Sequence, residues 1–340
     1  MRALVTGANG FIGSHLVDRL LDLGHQVRAF VRPGATLEWL TGKDIDLVPG
    51  NYSRARDLEQ VLEGVDLVFH VAGTVVARDW RGFFEANVIP TRRLLEAVQR
   101  HAPRIQRFVL VSSTGACGPS PDGHLVHEND PPAPVGDYGR SKLMAERSVE
   151  AFRDRLPTTI VRPCAVYGPR DRNFLIMFRH VLGGLIPVLG AGEQFISLIH
   201  VQDLADGIVR SALAPNARDN LYFLAGPRPY PRSEILATAE LVAGTHARRF
   251  IIPDQVLATL LAIQTTAEKL MPRARLLSPE RLATLAYPYW TFDPTKARTD
   301  FGFEPRFDLL QGLRNTYQWY VDQGWLPPRG LRRFRPFGHR

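Results

Sequence analysis

Tyr138 and Lys142 stand four residues apart, and Ser141 through Arg147 has helical character. One turn of helix would then place a phenol and an ammonium on the same face. A phenol is a poor acid or base at neutral pH, because its free pKa is about 10. A neighbouring ammonium favours the phenolate and brings the group toward a useful pKa. Ser112, Ser113 and Thr114 follow an apolar run at 107–111. A hydroxyl at such a strand end can donate to a carbonyl and steady oxyanion charge, or it can cap a turn. As a bare pair, Tyr-x-x-x-Lys arises often by chance. It gains weight from the first thirteen residues, where glycines at 7, 10 and 13 follow an apolar run ending at Thr6 and precede Leu16, Val17, Leu20 and Leu21 in helical spacing. Strand, glycine turn and helix in that order seat a dinucleotide pyrophosphate on a helix N-terminus. Gly7 then permits the tight turn, Gly10 the approach of the pyrophosphate, and Gly13 the packing of helix on strand. Proton donor, ammonium and hydroxyl near a dinucleotide predict hydride transfer with protonation of an oxygen.

The elements that must position these groups are legible as short β-rich runs at 2–6, 26–31, 45–48, 66–71, 107–112 and 158–163. Helical patterns at 12–23, 55–63, 82–101 and 139–153 alternate with them. Nearly all-apolar strands in such alternation predict a parallel sheet covered on both faces. Asp57 and Glu85 sit where helix starts are expected and suit the positive end of each dipole. After Pro163 glycines and prolines break the chain into shorter elements around a helix at 174–182. Residues 196–201 are expected to return a strand to the sheet, followed by a helix at 203–213. Helices are predicted at 232–243, 254–270, 278–285 and 306–323, forming a lobe that closes over the crevice beyond the strand ends. The apolar run 256–263 suits a substrate cleft, with a membrane or partner surface as the alternative.

Apolar content of 45% and charged content of 22% are those of an ordinary soluble globule, and 340 residues suit a large domain with a smaller lobe. Of the net charge of +8, five units come from Arg329, Arg332, Arg333, Arg335 and Arg340 in a tail without acids, leaving +3 elsewhere. A solvated tail explains this more simply than an anionic docking element, and no nucleic-acid partner is expected. There is no metal-ligand spacing. Cys117 and Cys164 fall at the ends of core strands and need no bridge, which favours a reduced interior. With the first strand starting beside Met1, a signal peptide is not expected; nor is a membrane span, so a cytoplasmic location is expected.

The chain resembles the extended short-chain dehydrogenase/reductase superfamily, which includes NAD-dependent epimerases and dehydratases. The resemblance rests on Thr6-Gly7-Ala8-Asn9-Gly10-Phe11-Ile12-Gly13, His70-Val71-Ala72-Gly73, Asn87, Ser112-Ser113-Thr114 and Tyr138-Gly139-Arg140-Ser141-Lys142. It continues through Arg162-Pro163, Val166-Tyr167-Gly168-Pro169 and His200-Val201-Gln202-Asp203-Leu204-Ala205, in family order over about residues 1–210. It implies an α/β fold, a Rossmann-type doubly wound parallel sheet with a smaller, mainly helical C-terminal substrate lobe. Residues 1–170 would be the dinucleotide-binding core, 171–328 mainly the substrate lobe with 196–225 returning to the core, and 329–340 a basic tail. By the same resemblance Tyr138 is the catalytic acid/base and Lys142 its pKa modulator and ribose ligand. Ser113 is the substrate hydroxyl, with Thr114 the alternate, and Asn87 orders the helix and the site. Gly7, Asn9, Gly10, Phe11, Ile12, Gly13, Val71 and Ala72 would line the cofactor, and Pro163 and Val166 would flank its nicotinamide.

Cofactor choice turns on the end of the second strand, where NAD enzymes usually present a carboxylate for the ribose 2′-hydroxyl. This chain has Phe30-Val31-Arg32-Pro33-Gly34. Arg32 can pair with a 2′-phosphate through its planar fork, with Lys43 assisting; NADP is therefore preferred, and a solvated arginine beside NAD is the alternative. Two positions depart from the family pattern. Asn51 replaces the usual adenine-contacting aspartate, and Cys117 replaces a frequent tyrosine near the substrate. The segments 27–33, 290–298 and 312–326 resemble the dihydroflavonol-reductase and 3β-hydroxysteroid-dehydrogenase-like branch. That implies an NAD(P)-dependent oxidoreductase interconverting a secondary alcohol and a ketone on a fairly apolar small molecule. The rival readings are a nucleotide-sugar epimerase or dehydratase holding NAD tightly, and a non-catalytic dinucleotide-sensing protein. A homodimer and peripheral membrane contact are the remaining partner alternatives.

Overall fold

The computed structural model describes residues 1–189, 192–252 and 287–328. The predicted helices at 254–270 and 278–285, the apolar run 256–263 and the basic tail lie outside the described residues. The chain runs β1 (Arg2–Thr6), α1 (Phe11–Asp22), β2 (Gln26–Val31), β3 (Asp46–Pro49), α2 (Ala55–Leu62), β4 (Leu67–His70), α3 (Trp80–Phe83), α4 (Ile89–His101), β5 (Arg107–Val111), α5 (Gly136–Glu150) and β6 (Thr158–Pro163). It continues with β7 (Ala165–Tyr167), α6 (Asn173–Leu182), β8 (Leu185–Leu189), β9 (Phe195–His200), α7 (Val201–Leu213), β10 (Asn220–Leu224), β11 (Pro229–Pro231), α8 (Arg232–Ala243), β12 (Arg248–Ile252), β13 (Tyr289–Trp290), α9 (Thr295–Phe301) and α10 (Leu309–Asp322).

Alternation along each strand sends neighbouring side chains to opposite faces, and here both faces are covered. Ala3 and Val5 of β1, Phe69 of β4 and Val109 of β5 pack with Leu16 and Leu20 of α1 and Leu204 and Ile208 of α7. Leu4, Val68, Phe108 and Leu110, from the same strands, pack with α2, α4 and α5 through Val61, Leu94, Val98 and Val149. The resulting seven-stranded sheet has the order β10-β6-β5-β4-β1-β2-β3, and every pairing in it is parallel. It is a Rossmann-like fold. Strand order reverses between β1 and β4, which opens a crevice at their C-terminal ends.

Three expectations are corrected. The strand expected at 196–201 does not return to this sheet. As β9 it pairs with β7, β11 and β13 in a second, smaller sheet, and β10 takes the edge beside β6 instead. The later part of the chain is mainly helical, as expected, and adds short strands, including the β8–β12 pair; runs of two to five residues are too short to show a period of two. The helix expected across 82–101 is interrupted by a π-helical turn at Phe84–Val88. Glu85 therefore lies in that turn, paired with Arg81 at 2.8 Å, and not at a helix start. Asp57 does sit in the first turn of α2.

A third core forms where α6, α8 and α10 meet, around Phe178, Val242, Leu313 and Tyr317. Tyr320 of α10 donates to the Asp171 carbonyl at 2.6 Å, tying this core to the segment after β7. Cys117 and Cys164 are both buried and unbridged. Among the described residues no helix is long and apolar enough to cross a membrane.

Three buried histidines link the fold to pH. His70 is enclosed between Thr6 Oγ1 at 2.8 Å and Thr91 Oγ1 at 3.0 Å, and burial lowers its pKa to about 3. Burial likewise lowers His15 to about 4, with Arg170 adding to the effect. His200, stacked on Phe307 at 3.9 Å, falls to about 3, again by burial. All three are neutral in the fold but take up protons below about 6.5 once unfolded. Stability is therefore complete above that pH and drains as pH falls from about 6.5 toward these folded values. The urea midpoint should drop between pH 7.5 and pH 5, each histidine adding up to about 1.4 kcal/mol per pH unit; a flat midpoint would contradict the assignment.

Candidate active site

The glycine turn is shaped by what it touches. Gly7 adopts φ +67°, and a Cβ there would lie 2.8 Å from Ala72 N and Cα beyond the end of β4. Gly10 N donates to the Gly7 carbonyl at 3.0 Å. Gly10 is also the N-cap of α1, which has no side-chain cap and no acid in its first turn. A Cβ on Gly13 would stand 2.1 Å from the Gly7 carbonyl oxygen, so only glycine lets α1 start this close to β1. Asn9 donates from Nδ2 to the Thr36 carbonyl at 3.3 Å, joining the turn to the loop after β2. Phe11 and Ile12 are half-buried. An uncapped, acid-free helix N-terminus behind such a cradle fits a dinucleotide pyrophosphate.

At the tip of β2 Arg32 is exposed, and Arg32-Pro33-Gly34 carries no acid. Lys43 is not its partner: it pairs with Asp18 on α1, because the loop folds back with Leu40 buried. Arg170 joins the same group. It donates to Asp18 Oδ2 at 2.7 Å and Ser14 Oγ at 3.0 Å, and lies over the Trp39 ring at 5.3 Å. Trp39 in turn meets Trp319 and Trp325. Asn51 accepts at Oδ1 from Ser53 N at 2.9 Å, while its own N–H donates to Asp57 at 2.8 Å.

Beyond β4, Val71 and Ala72 are half-buried and lead to Gly73. A Cβ on Gly73 would lie 2.9 Å from Asn87 Oδ1 and 3.8 Å from Lys142 Nζ, so one short loop connects the glycine turn to the lysine. Asn87, in the π-helical turn, accepts from Thr74 N at 2.8 Å and donates to Thr74 O at 3.1 Å and Ser141 Oγ at 2.9 Å. Ser141 passes its own hydrogen to the Tyr138 carbonyl at 2.7 Å. Nothing in the apolar pattern announces the Thr74 and Ser141 partners, which come from opposite sides of the crevice.

Tyr138 and Lys142 do share a face of α5. A Cβ on Gly139 would stand 2.3 Å from the Gly115 carbonyl oxygen, which measures how closely α5 meets the turn after β5. Ser113 Oγ accepts from Gly115 N at 3.1 Å and caps the turn. A Cβ on Gly115 would lie 3.4 Å from that hydroxyl and 3.3 Å from Tyr138 Cε1, so hydroxyl and phenol ring flank the same glycine. Ser112 is committed to Glu146 at 2.5 Å, and Thr114 is buried. Lys142 donates to the Val111 carbonyl at 2.8 Å. Burial raises the phenol of Tyr138 above its ordinary value, with Ser113 opposing. Burial also lowers Lys142 to about 8, with Glu146 opposing. The lowering of the phenol expected from the lysine is not seen; burial governs both groups. Pro163 ends β6 in the core and Val166 is half-buried in β7. Cys117 is buried, its thiol pushed up by burial and facing the fields of Arg162 and Glu146.

Residues 3–225 match the NAD dependent epimerase/dehydratase family, and the chain belongs to it. It is 30% identical to the ceramide reductase of Caulobacter vibrioides over 95% of each chain. It is 31% identical to the 3 beta-hydroxysteroid dehydrogenase/Delta 5→4-isomerase of Mycobacterium tuberculosis over 94% of this chain and 90% of that one. The fold matches MoeE5, solved in complex with UDP-glucuronic acid and NAD, with a TM-score of 0.76 at 25% identity, covering 95% of this chain and 100% of that one. The protein is accordingly an enzyme of the extended short-chain dehydrogenase/reductase type. Gly13→Ala should drive its Cβ into the Gly7 carbonyl, lowering stability by about 1–3 kcal/mol. Urea unfolding checks this; a variant as stable as the parent would show that the close approach is not required.

Proposed function

We propose that this member of the NAD dependent epimerase/dehydratase family interconverts a secondary alcohol and a ketone on a fairly apolar small molecule. The observation that carries the reading is that Ser113 Oγ and the ring of Tyr138, on the helix that also bears Lys142, flank Gly115, one loop away from an uncapped glycine turn. Residues 1–170 would hold the dinucleotide and 171–328 mainly the substrate. Gly7, Asn9, Gly10, Phe11, Ile12 and Gly13 would receive the pyrophosphate, Val71, Ala72, Pro163 and Val166 would enclose the nicotinamide, and Asn51 would lie toward the adenine. When bound there, nicotinamide would supply hydride-transfer chemistry to the carbonyl carbon, reversibly. Tyr138 gives its phenolic proton to the carbonyl oxygen as the C–O double bond becomes single, and takes it back in reverse. Ser113 donates a hydrogen bond to that oxygen while charge accumulates on it. Lys142, as an ammonium, holds ribose hydroxyls and offsets the charge left on Tyr138; Asn87 fixes the loop and the helix against each other.

An apolar substrate is supported by the two curated relatives, named for ceramide and 3β-hydroxysteroid chemistry. Val75 and Val76 support it too, being 68% and 64% exposed on the loop that leaves Gly73. Arg32 at the β2 tip, with no acid beside it, supports NADP over NAD. The likeness to MoeE5, with its UDP-sugar and NAD, favours a second reading, redox-neutral chemistry on a nucleotide sugar. Product analysis separates the two, since net reduction consumes cofactor mole for mole.

Tyr138→Phe should abolish NADPH-dependent reduction of apolar ketones while NADPH still binds by fluorescence titration. Retained turnover would exclude the phenol as proton donor. Arg32→Ala should raise the Kd for NADPH about tenfold or more, the worth of a charge-assisted bidentate contact, and leave that for NADH nearly unchanged. Equal weakening of both would refute the phosphate contact.

A further inference from the structure

Two consecutive residues at the end of β5 are each held by α5. Lys142 Nζ donates to the Val111 carbonyl, and Ser112 Oγ donates to Glu146 Oε1. Tyr138, Lys142 and Glu146 are spaced four apart and form one stripe of the helix. Glu146 is 1% exposed and is gripped from β6 by Arg162, with Nε to Oε1 at 2.9 Å and Nη2 to Oε2 at 2.7 Å. Arg162 is itself 4% exposed and lies over the Phe223 ring at 5.6 Å. Two ions taken this far from water are costly unless their hydrogen bonds are complete. Glu146 meets that condition with three donors.

We propose that Glu146, clamped by Arg162 and Ser112, is a positioning residue that keeps Lys142 charged and registers the end of β5 against α5. The charged and titratable groups about Lys142 are few. Tyr138 and Glu146 lie on its own helix, Arg162 on β6, His70 on β4 and Cys117 in the turn after β5. His70 is neutral by burial and the Cys117 thiol is pushed up, so the Glu146 carboxylate is the anion that opposes desolvation of the lysine. Arg162, the cation on β6, is tied to that same carboxylate.

The inference rests on the proposed function only for its kinetic consequence, since the titration of Lys142 can be read without turnover. The chain has four lysines, Lys43, Lys142, Lys269 and Lys296. Carbon-13-labelled lysine therefore gives a short set of NMR signals, and the one lost in Lys142→Met is assigned to Lys142. In the parent it should titrate near 8. In Glu146→Gln it should titrate lower by about one unit, a tenfold change in the ammonium fraction. Should that variant fail to fold with a bare guanidinium in its core, the double variant Glu146→Gln/Arg162→Met removes both charges. It should titrate between the parent and the single variant, below the parent by roughly half a unit or more. Ser112→Ala keeps both charges and should leave the titration in place. A double variant titrating as the parent does, or a Ser112→Ala shift as large as that of Glu146→Gln, overturns the proposal. In turnover, the alkaline limb of the rate should move to lower pH together with the lysine signal. If the signal moves but Tyr138→Phe still turns over, the proposed function fails and the positioning role stands. If Tyr138→Phe is inactive and the signal stays fixed in both charge variants, the positioning role fails alone.

Discussion

The approach of α5 to the end of β5 is the constraint on which the site depends. It is set by backbone against backbone, since any side chain at Gly139 would collide with the Gly115 carbonyl. At that separation Ser113 Oγ and the Tyr138 ring flank Gly115, and a lysine reaches a main-chain carbonyl. The glycine turn after β1 obeys the same rule at the neighbouring strand end, with Gly7 against Ala72 and Gly13 against Gly7. Small residues at these contacts let two helices and three strand ends crowd one crevice.

Burial controls the electrostatics. Tyr138 and Lys142 are both pushed toward their neutral forms, the phenol upward and the ammonium downward, which leaves each sensitive to a single neighbouring hydrogen bond or charge. Asn87 works in the same setting without charge. Its amide uses donor and acceptor together, so the loop after β4 and the start of α5 share one orientation.

The first six strands were legible in the sequence because their signals are local and redundant: apolar runs as strands, glycines at the turn, helical spacing in between. β1 and β2 fall where they were expected, and β3 is displaced by a single residue. The second sheet was hidden, because β7, β11 and β13 are two or three residues long and owe their conformation to pairing with β9. The π-helical turn was hidden for a related reason, since one widened turn hardly disturbs the periodicity of a helix. Lys43 looked available to a phosphate only because charge is visible in a sequence while the path of a loop is not; its partner, Asp18, lies 25 residues away on α1. Glu146 carried a readable hint in its four-residue spacing from Lys142, but Arg162 comes from another strand and no spacing reveals it.

Arg170 has a consequence for how the molecule can be divided. Its guanidinium joins Ser14 and Asp18 on the helix behind the glycine turn and rests on Trp39, which is covered by Trp319 and Trp325 near the last described residues. The first helix of the chain is thereby joined, through Arg170 and Trp39, to aromatic rings supplied some 300 residues later. A cut at the end of the seven-stranded sheet would strip two indoles from Trp39 and open the flank on which Arg170 rests to water.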